Sequence, residues 1–273
     1  MILSSPMLKR ATQKSAPRQA RLKFLAWMFL ILNSSSFILN CGIDIEDSTP
    51  PSPPQWVNKS LPEEWPERGI DAHESGGIFL EWEPNIEENI EAYLIYRAEL
   101  IGENDSLSDY QLISRHSMEI FSALEYLDIE VSIRTHYIYK LRAEDISQNL
   151  SDYSESLNYS LLEAIAPSQL SPNGFNQQLN SGRSLIWGNY AYAIEMENYC
   201  LTLLSSGNEL ILRQVIIPEN YFNAVETFCI PDSIYLINNK VYQWRVDIGS
   251  QYMDGIESAA SESPWAKFLF LTS

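Results

Sequence analysis

Several kinds of chemistry are thin in this chain, and each shortage excludes something. There are three cysteines and three histidines in 273 residues. His73, His116 and His136 are scattered without metal-ligand spacing. Cys200 and Cys229 have no histidine near them in sequence, so nothing supports a thiol protease. The glycine patterns of phosphate loops, dinucleotide folds and nucleophile elbows are missing. No long stretch keeps a 3.6-residue apolar period, which argues against a helical protein. Positive charge is scarce as well: 18 Lys and Arg stand against 36 Asp and Glu. Six of the 18 (Lys9, Arg10, Lys14, Arg18, Arg21, Lys23) lie in residues 1–40, which hold no acid. The rest therefore carries 12 basic against 36 acidic residues, a net charge of −24. Such a body repels phosphate backbones and is not expected to bind nucleic acid.

What is present begins with an export signal. A basic region precedes LKFLAWMFLIL, whose uninterrupted apolar run from Phe24 to Leu32 is nine residues. A spanning helix needs about 20, whereas nine suits the core of a signal peptide. Ile38-Leu39-Asn40-Cys41 resembles the bacterial lipobox, which implies that Cys41 becomes the first mature residue and carries a lipid. Two alternatives stay open: an uncleaved anchor that extends through Asn33 to Ser36, or ordinary cleavage near Ser34–Ser36. All three place the body outside the cytoplasm. With Cys41 lipidated, Cys200 and Cys229 remain as a candidate disulfide pair or as two free thiols that pack as small hydrophobes. Residues 42–54, GIDIEDSTPPSPP, contain four prolines and three acids and read as an extended tether. At about 3.1 Å per residue it spans about 40 Å.

The body is a series of short strand candidates bounded by turn residues: 77–82, 92–98, 110–114, 125–128, 136–145 and 153–161. Alternation puts Tyr93 and Ile95 on one face with Leu94 and Tyr96 opposite, and puts Tyr137, Tyr139 and Leu141 together. W-x-P-N-x-E-x-N-I-x-x-Y-x-I-Y-R, from Trp82 to Arg97, resembles the B–C region of a fibronectin type III domain. T-x-Y-x-Y-x-x-x-A-x-D, from Thr135 to Asp145, is similar to its F strand, and NLSDYSES to the turn into strand G. The resemblance implies a sandwich of about 100 residues, with Trp82 in the inter-sheet core and Tyr137 as the tyrosine corner. A more diverged copy follows. SLIW (184–187), NYCLTLLSSG (198–207), ELILRQVII (209–217), LINNKVYQWRV (236–246) and ESPWAKFLFL (262–271) repeat the strand order, with Trp187 and Tyr242 in the equivalent places. GNYAYAIEMEN lacks the W-x-P form, and PENYFNAVETF reads as an insertion.

The expected organisation is all-β: a signal peptide (1–40), an acidic Pro-rich tether (41–53) and two tandem immunoglobulin-like sandwiches (54–162 and 163–273). The expected structural core includes Trp82, Tyr93, Tyr137, Trp187 and Tyr242. No enzyme, cofactor or metal site is expected. Glu81, Glu83, Glu87, Glu88 and Glu91 form the densest carboxylate group, but a strand end and loop place them on a solvated rim. Calcium suits such loops, yet no D-x-D-x-D-G pattern appears. The four N-x-S sequons of the body, at Asn58, Asn104, Asn149 and Asn158, bear on a eukaryotic secreted protein only. Two functions from different classes follow. One is a non-enzymatic, lipid-anchored envelope protein, outer-membrane, periplasmic or surface-facing, that binds or spaces an envelope protein or polysaccharide. The other is a carbohydrate-binding or degenerate carbohydrate-processing accessory that uses second-domain aromatics: Trp187, Tyr190, Tyr192, Tyr221, Phe222, Trp244 and Trp265.

Overall fold

The computed structural model describes residues 48–271 except 61–65, 68, 102–105, 121–122, 189–195, 219–224, 251, 254–255 and 258. Cys41, the export signal, and four of the aromatics considered above (Tyr190, Tyr192, Tyr221, Phe222) lie outside the described residues. Residues 48–273 form one compact unit.

In the first half, β1 (Ile70–His73), β2 (Gly77–Glu81) and β5 (Glu125–Asp128) form one antiparallel sheet in the order β1-β2-β5. Opposite it, β3 (Ile90–Ile101) is flanked by β4 (Gln111–Ser117) and β6 (His136–Asp145), with β7 (Leu157–Leu161) beyond β6. Three strands against four, joined in this order, is the fibronectin type III arrangement of an immunoglobulin-like sandwich. Alternation on β6 is complete: Tyr137, Tyr139, Leu141, Ala143 and Asp145 are buried and the intervening residues are not. Tyr93 and Ile95 face the same core as expected. Leu94 and Tyr96 pair with Arg142 and Lys140 on the outer face.

The second half repeats the plan. Leu170–Ser171 (β8), Ser184–Gly188 (β9) and Val225–Cys229 (β12) form the smaller sheet. The larger one contains β10 (Met196–Leu204), β11 (Leu210–Ile216), β13 (Lys240–Ser250), β14 (Ala259–Glu262) and β15 (Ala266–Phe270). Two readings of the sequence change here. The end of the presumed insertion PENYFNAVETF is β12, which pairs with β9 along its whole length. The single closing strand expected at 262–271 is two, β14 and β15, with Pro264 between them.

Each sandwich has its own core. Trp82 and Tyr93 lie in the first, Trp187 and Tyr242 in the second, and Tyr137 beside Tyr139 in the first. Both indole nitrogens, of Trp82 and Trp187, are buried without an acceptor. Burying a ring of about 150–250 Å² at about 25 cal/mol per Å² contributes about 4–6 kcal/mol, more than the about 1–3 kcal/mol cost of an unmet donor. Packing wins. Both halves also carry a tyrosine corner: the Ser132 N–H donates to the Tyr137 hydroxyl at 2.9 Å and the Ile237 N–H to Tyr242 at 2.7 Å. In each case the donor lies five residues before the tyrosine.

The two large sheets are one. β7 runs parallel to β14, with Ser160 opposite Ala259 and Leu161 opposite Ala260, inside a continuous sheet of ten strands. The Leu162 N–H then donates to the Ala260 carbonyl at 2.8 Å, and Ser261 Oγ to the Glu163 carbonyl at 3.2 Å. The exchange of side chains is mutual. Leu162 and Ile165, which follow β7, are buried in the second core, while Ala260 of β14 is buried in the first.

The tether is shorter than expected. Pro51 and Pro54 are buried, and Ser52 donates its N–H and Oγ–H to the Glu87 carboxylate at 2.8 and 3.0 Å. Residues 51–54 therefore lie along the first sandwich instead of adding to its reach.

Candidate functional site

The cavity that combines rings with charge sits at the junction of the two sandwiches. It has a volume of about 380 Å³ and is lined by residues 69–74, Phe79 and Glu81 from one half and by Arg245, Glu262 and Trp265 from the other. Gly69 opens this wall. Its φ is +65°, and a Cβ there would lie 2.4 Å from the Glu81 carbonyl oxygen, so backbone meets backbone where only glycine fits.

Arg245 organises the second-half wall. From the side of β13 it reaches Asp247 through Nε at 3.1 Å and Glu262 of β14 through Nη2, and its guanidinium lies 5.0 Å from the Trp265 ring centroid. Glu262 in turn accepts the backbone N–H of Glu74, which ties the second half to the turn after β1. Burial pushes the Asp247 carboxyl up to about 7, against the pull of Arg245 and with Glu262 adding to the rise. Burial raises Glu262 as well, again opposed by Arg245. On the first-half wall, Asp71 Oδ1 accepts the Ala72 N–H at 2.7 Å, and His73 Nδ1 lies 2.8 Å from Ser75 Oγ.

The expected carboxylate group does not stay together. Glu81 is half-buried and lines the cavity, so it is not on a solvated rim. Glu83 and Glu88 are exposed, and Glu91 pairs with Arg115 at 3.2 Å. Glu87 is held down to about 2 by the donors of Ser52, its own backbone N–H and Asn85, the opposite of what an acid catalyst needs. The three histidines are apart: His116 packs edge-on to Trp82 at 5.2 Å, and His136 Nδ1 lies 2.9 Å from Ser160 Oγ. Among the described residues, no three His, Cys, Asp or Glu side chains are grouped to hold a metal. Cys200 and Cys229 are not joined in a disulfide: Cys200 is buried in β10 and Cys229 exposed on β12 in the other sheet. The candidate disulfide does not form.

Of the second-half aromatics within the described residues, Trp187 and Trp244 are fully buried, and Trp244 Nε1 donates to the Pro172 carbonyl at 3.0 Å. They offer no surface for a ligand. Trp265 alone of these three reaches a cavity wall. A second array, Tyr96, Tyr110 and Tyr153 with Lys140 and Arg142, covers the outer face of the β3–β6 sheet. Lys140 Nζ lies 4.5 Å from the Tyr110 centroid and Arg142 Cζ 5.0 Å from that of Tyr153.

No family model matches the chain, and no curated protein matches it. Among solved structures it is similar to the FN1–FN3 domains of chicken CNTN1, at 14% identity and a TM-score of 0.29, covering 82% of this chain and 68% of that one. It is similar also to the chicken interferon gamma receptor alpha chain, at 14% identity and a TM-score of 0.30, covering 81% of this chain and 99% of that one. The fold is assigned by the strand order and corners described above.

Proposed function

We propose that this chain is a non-enzymatic binding and spacing module of a bacterial cell envelope, held to a membrane through a lipid on Cys41. The observation that carries the proposal is the joint. Two sandwiches share one sheet across β7 and β14, so the pair presents both halves and the cavity between them in a fixed relation. Such a geometry serves recognition or spacing, since it needs no moving lid and no reactive side chain. The resemblance of residues 1–41 to an export signal with a lipobox supports that location, and the acidic body would keep the module off anionic polymers.

Retention by envelope fragments tests the reading. Full-length protein carrying Cys41→Ser, freed of its lipid, is expected to bind envelope fragments saturably. The parent is expected to take up labelled fatty acid and to stay with membranes through a high-salt wash, and the variant to take up no label and to wash off. Retention no greater than that of an unrelated acidic protein contradicts the binding role. So does turnover of a glycoside, ester or peptide by the pure protein. Unchanged membrane association of the variant without any label contradicts the anchor.

A further inference from the structure

The junction cavity has two kinds of wall. Phe79 and Trp265 give it flat apolar rings, and Asp71, Glu81 and Glu262 give it acceptors. Its volume of about 380 Å³ falls in the range of about 300–1,000 Å³ typical of small-molecule sites, more than a single amino-acid side chain would fill. We propose that it is a subsite for a neutral or amino-bearing saccharide, a reading that rests on the binding role proposed above and names its ligand class.

Three features lead there. A pyranose has C–H faces that lie on aromatic rings and a rim of hydroxyls that donate to carboxylates, and the cavity offers both at once. Carboxylates outnumber cations in its polar lining: Asp71, Glu74, Glu81 and Glu262 stand with Arg245 and His73. Hydroxyls and an ammonium group suit these carboxylates as further donors, beside those the protein already gives them. The same imbalance repels carboxylate or phosphate on the ligand, so uronic acids and sugar phosphates are rejected by like charge. A basic peptide side chain would also meet the carboxylates. Arg245 already lies over the Trp265 ring, however, so a second cation does not stack there, and Phe79 is the ring left for a pyranose face.

The test is a titration of the full-length protein in detergent with four probes: a glucosamine trisaccharide, its N-acetylated counterpart, trigalacturonate and a lysine pentapeptide. The two uncharged or cationic sugars are expected to bind, and trigalacturonate to bind at least tenfold more weakly. Trp265→Ala and Phe79→Ala are expected to weaken the glucosamine probe at least tenfold, and Ile86→Ala, on an exposed loop of the first half, to leave it unchanged. If Trp265→Ala does not fold by circular dichroism, Glu81→Gln replaces it, with loss of at least threefold expected. Trigalacturonate binding as tightly as glucosamine overturns the proposal. So do sugar binding untouched by these variants, binding of the lysine peptide alone, and binding of no probe. Envelope retention measured in parallel separates the two readings: retention without sugar binding removes the saccharide subsite and leaves the module standing.

Discussion

The two sandwiches share strand order and corners, but they put their buried charge in different places. In the first, Arg97 of β3 reaches Asp128 of β5 at 2.7 Å, and the Tyr139 hydroxyl donates to the same carboxylate at 2.9 Å. That trio spans the core and pins sheet to sheet, and burial together with Asp128 raises the Tyr139 hydroxyl far above its ordinary value. In the second, Arg183 meets Asp232 at 3.3 Å with the aspartate fully exposed, and the pair joins the ends of β9 and β12 within the smaller sheet instead of crossing between sheets. Its half-buried ions, Arg245 with Asp247 and Glu262, lie instead along the sheet that continues into the first half. The first sandwich uses charge to hold itself together, and the second uses it to shape the joint.

Removing Arg97 and Arg183 in turn should expose that contrast most strongly. Arg97→Met leaves Asp128 buried with its cation gone and is expected to cost about 3–5 kcal/mol. Arg183→Met should cost about 1 kcal/mol, from its hydrogen bond to the Ile234 carbonyl and not from the ion pair. Chemical denaturation of the two variants measures this directly. Equal losses would erase the distinction.

The corners offer the matching control, because there the halves agree. Tyr137→Phe and Tyr242→Phe each strand one backbone donor, of Ser132 and Ile237, and each should cost about 1–3 kcal/mol. The two values should lie within experimental error of each other. A twofold difference would mean that the second corner is decorative.

The smallest expected effect is in pH, and its sign differs between the halves. Asp247 and Glu262 have folded values raised by burial, so the folded state holds more protons than the unfolded chain. The Asp247 contribution is complete below about pH 4 and is lost as pH rises through about 7, and that of Glu262 has the same sign. The groups facing them are Arg245 and Arg213 in the second half and Asp71 and His73 in the first. Glu87 behaves oppositely. Hydrogen bonds from Ser52 lower it to about 2, so its contribution is present above about 4.5 and fades as pH falls toward 2. For Asp145, burial raises the carboxyl, but hydrogen bonds from Asn149 and Ser147 outweigh it and leave it lowered. Hydrogen exchange from pH 5 to 8 should show β14 loosening with rising pH while the Ser52 amide does not. Asp247→Asn should flatten the trend, and a trend that survives it would contradict the assignment.

Much of each sandwich was legible because side-chain period and aromatic placement are local signals. The strands at 125–128 and 136–145 have the bounds that alternation gives them, and Trp82, Tyr93, Tyr137, Trp187 and Tyr242 are buried where the resemblance put them. The joint was not legible. It depends on Ala259 and Ala260, two small residues whose pairing with β7 crosses about 100 positions and leaves no periodic trace. The cavity was hidden for the same reason. Glu81 reads as a rim carboxylate beside Trp82, and only the approach of β14 turns it into part of a wall. The docking of Ser52 on Glu87 likewise needs a contact between a proline-rich segment and a loop that neither stretch announces.

The central claim is that the shared sheet makes the two sandwiches one rigid pair. It is tested most directly by a spin-label distance distribution between the halves, with labels at Ile86 and Tyr235, which are 93% and 84% exposed. Exposed Cys229 is first replaced by serine so that it takes no label. One narrow distribution, unchanged between low and high salt, is the expected result. A broad distribution, or two populations that shift with salt, would show sandwiches that swing independently and would contradict the account.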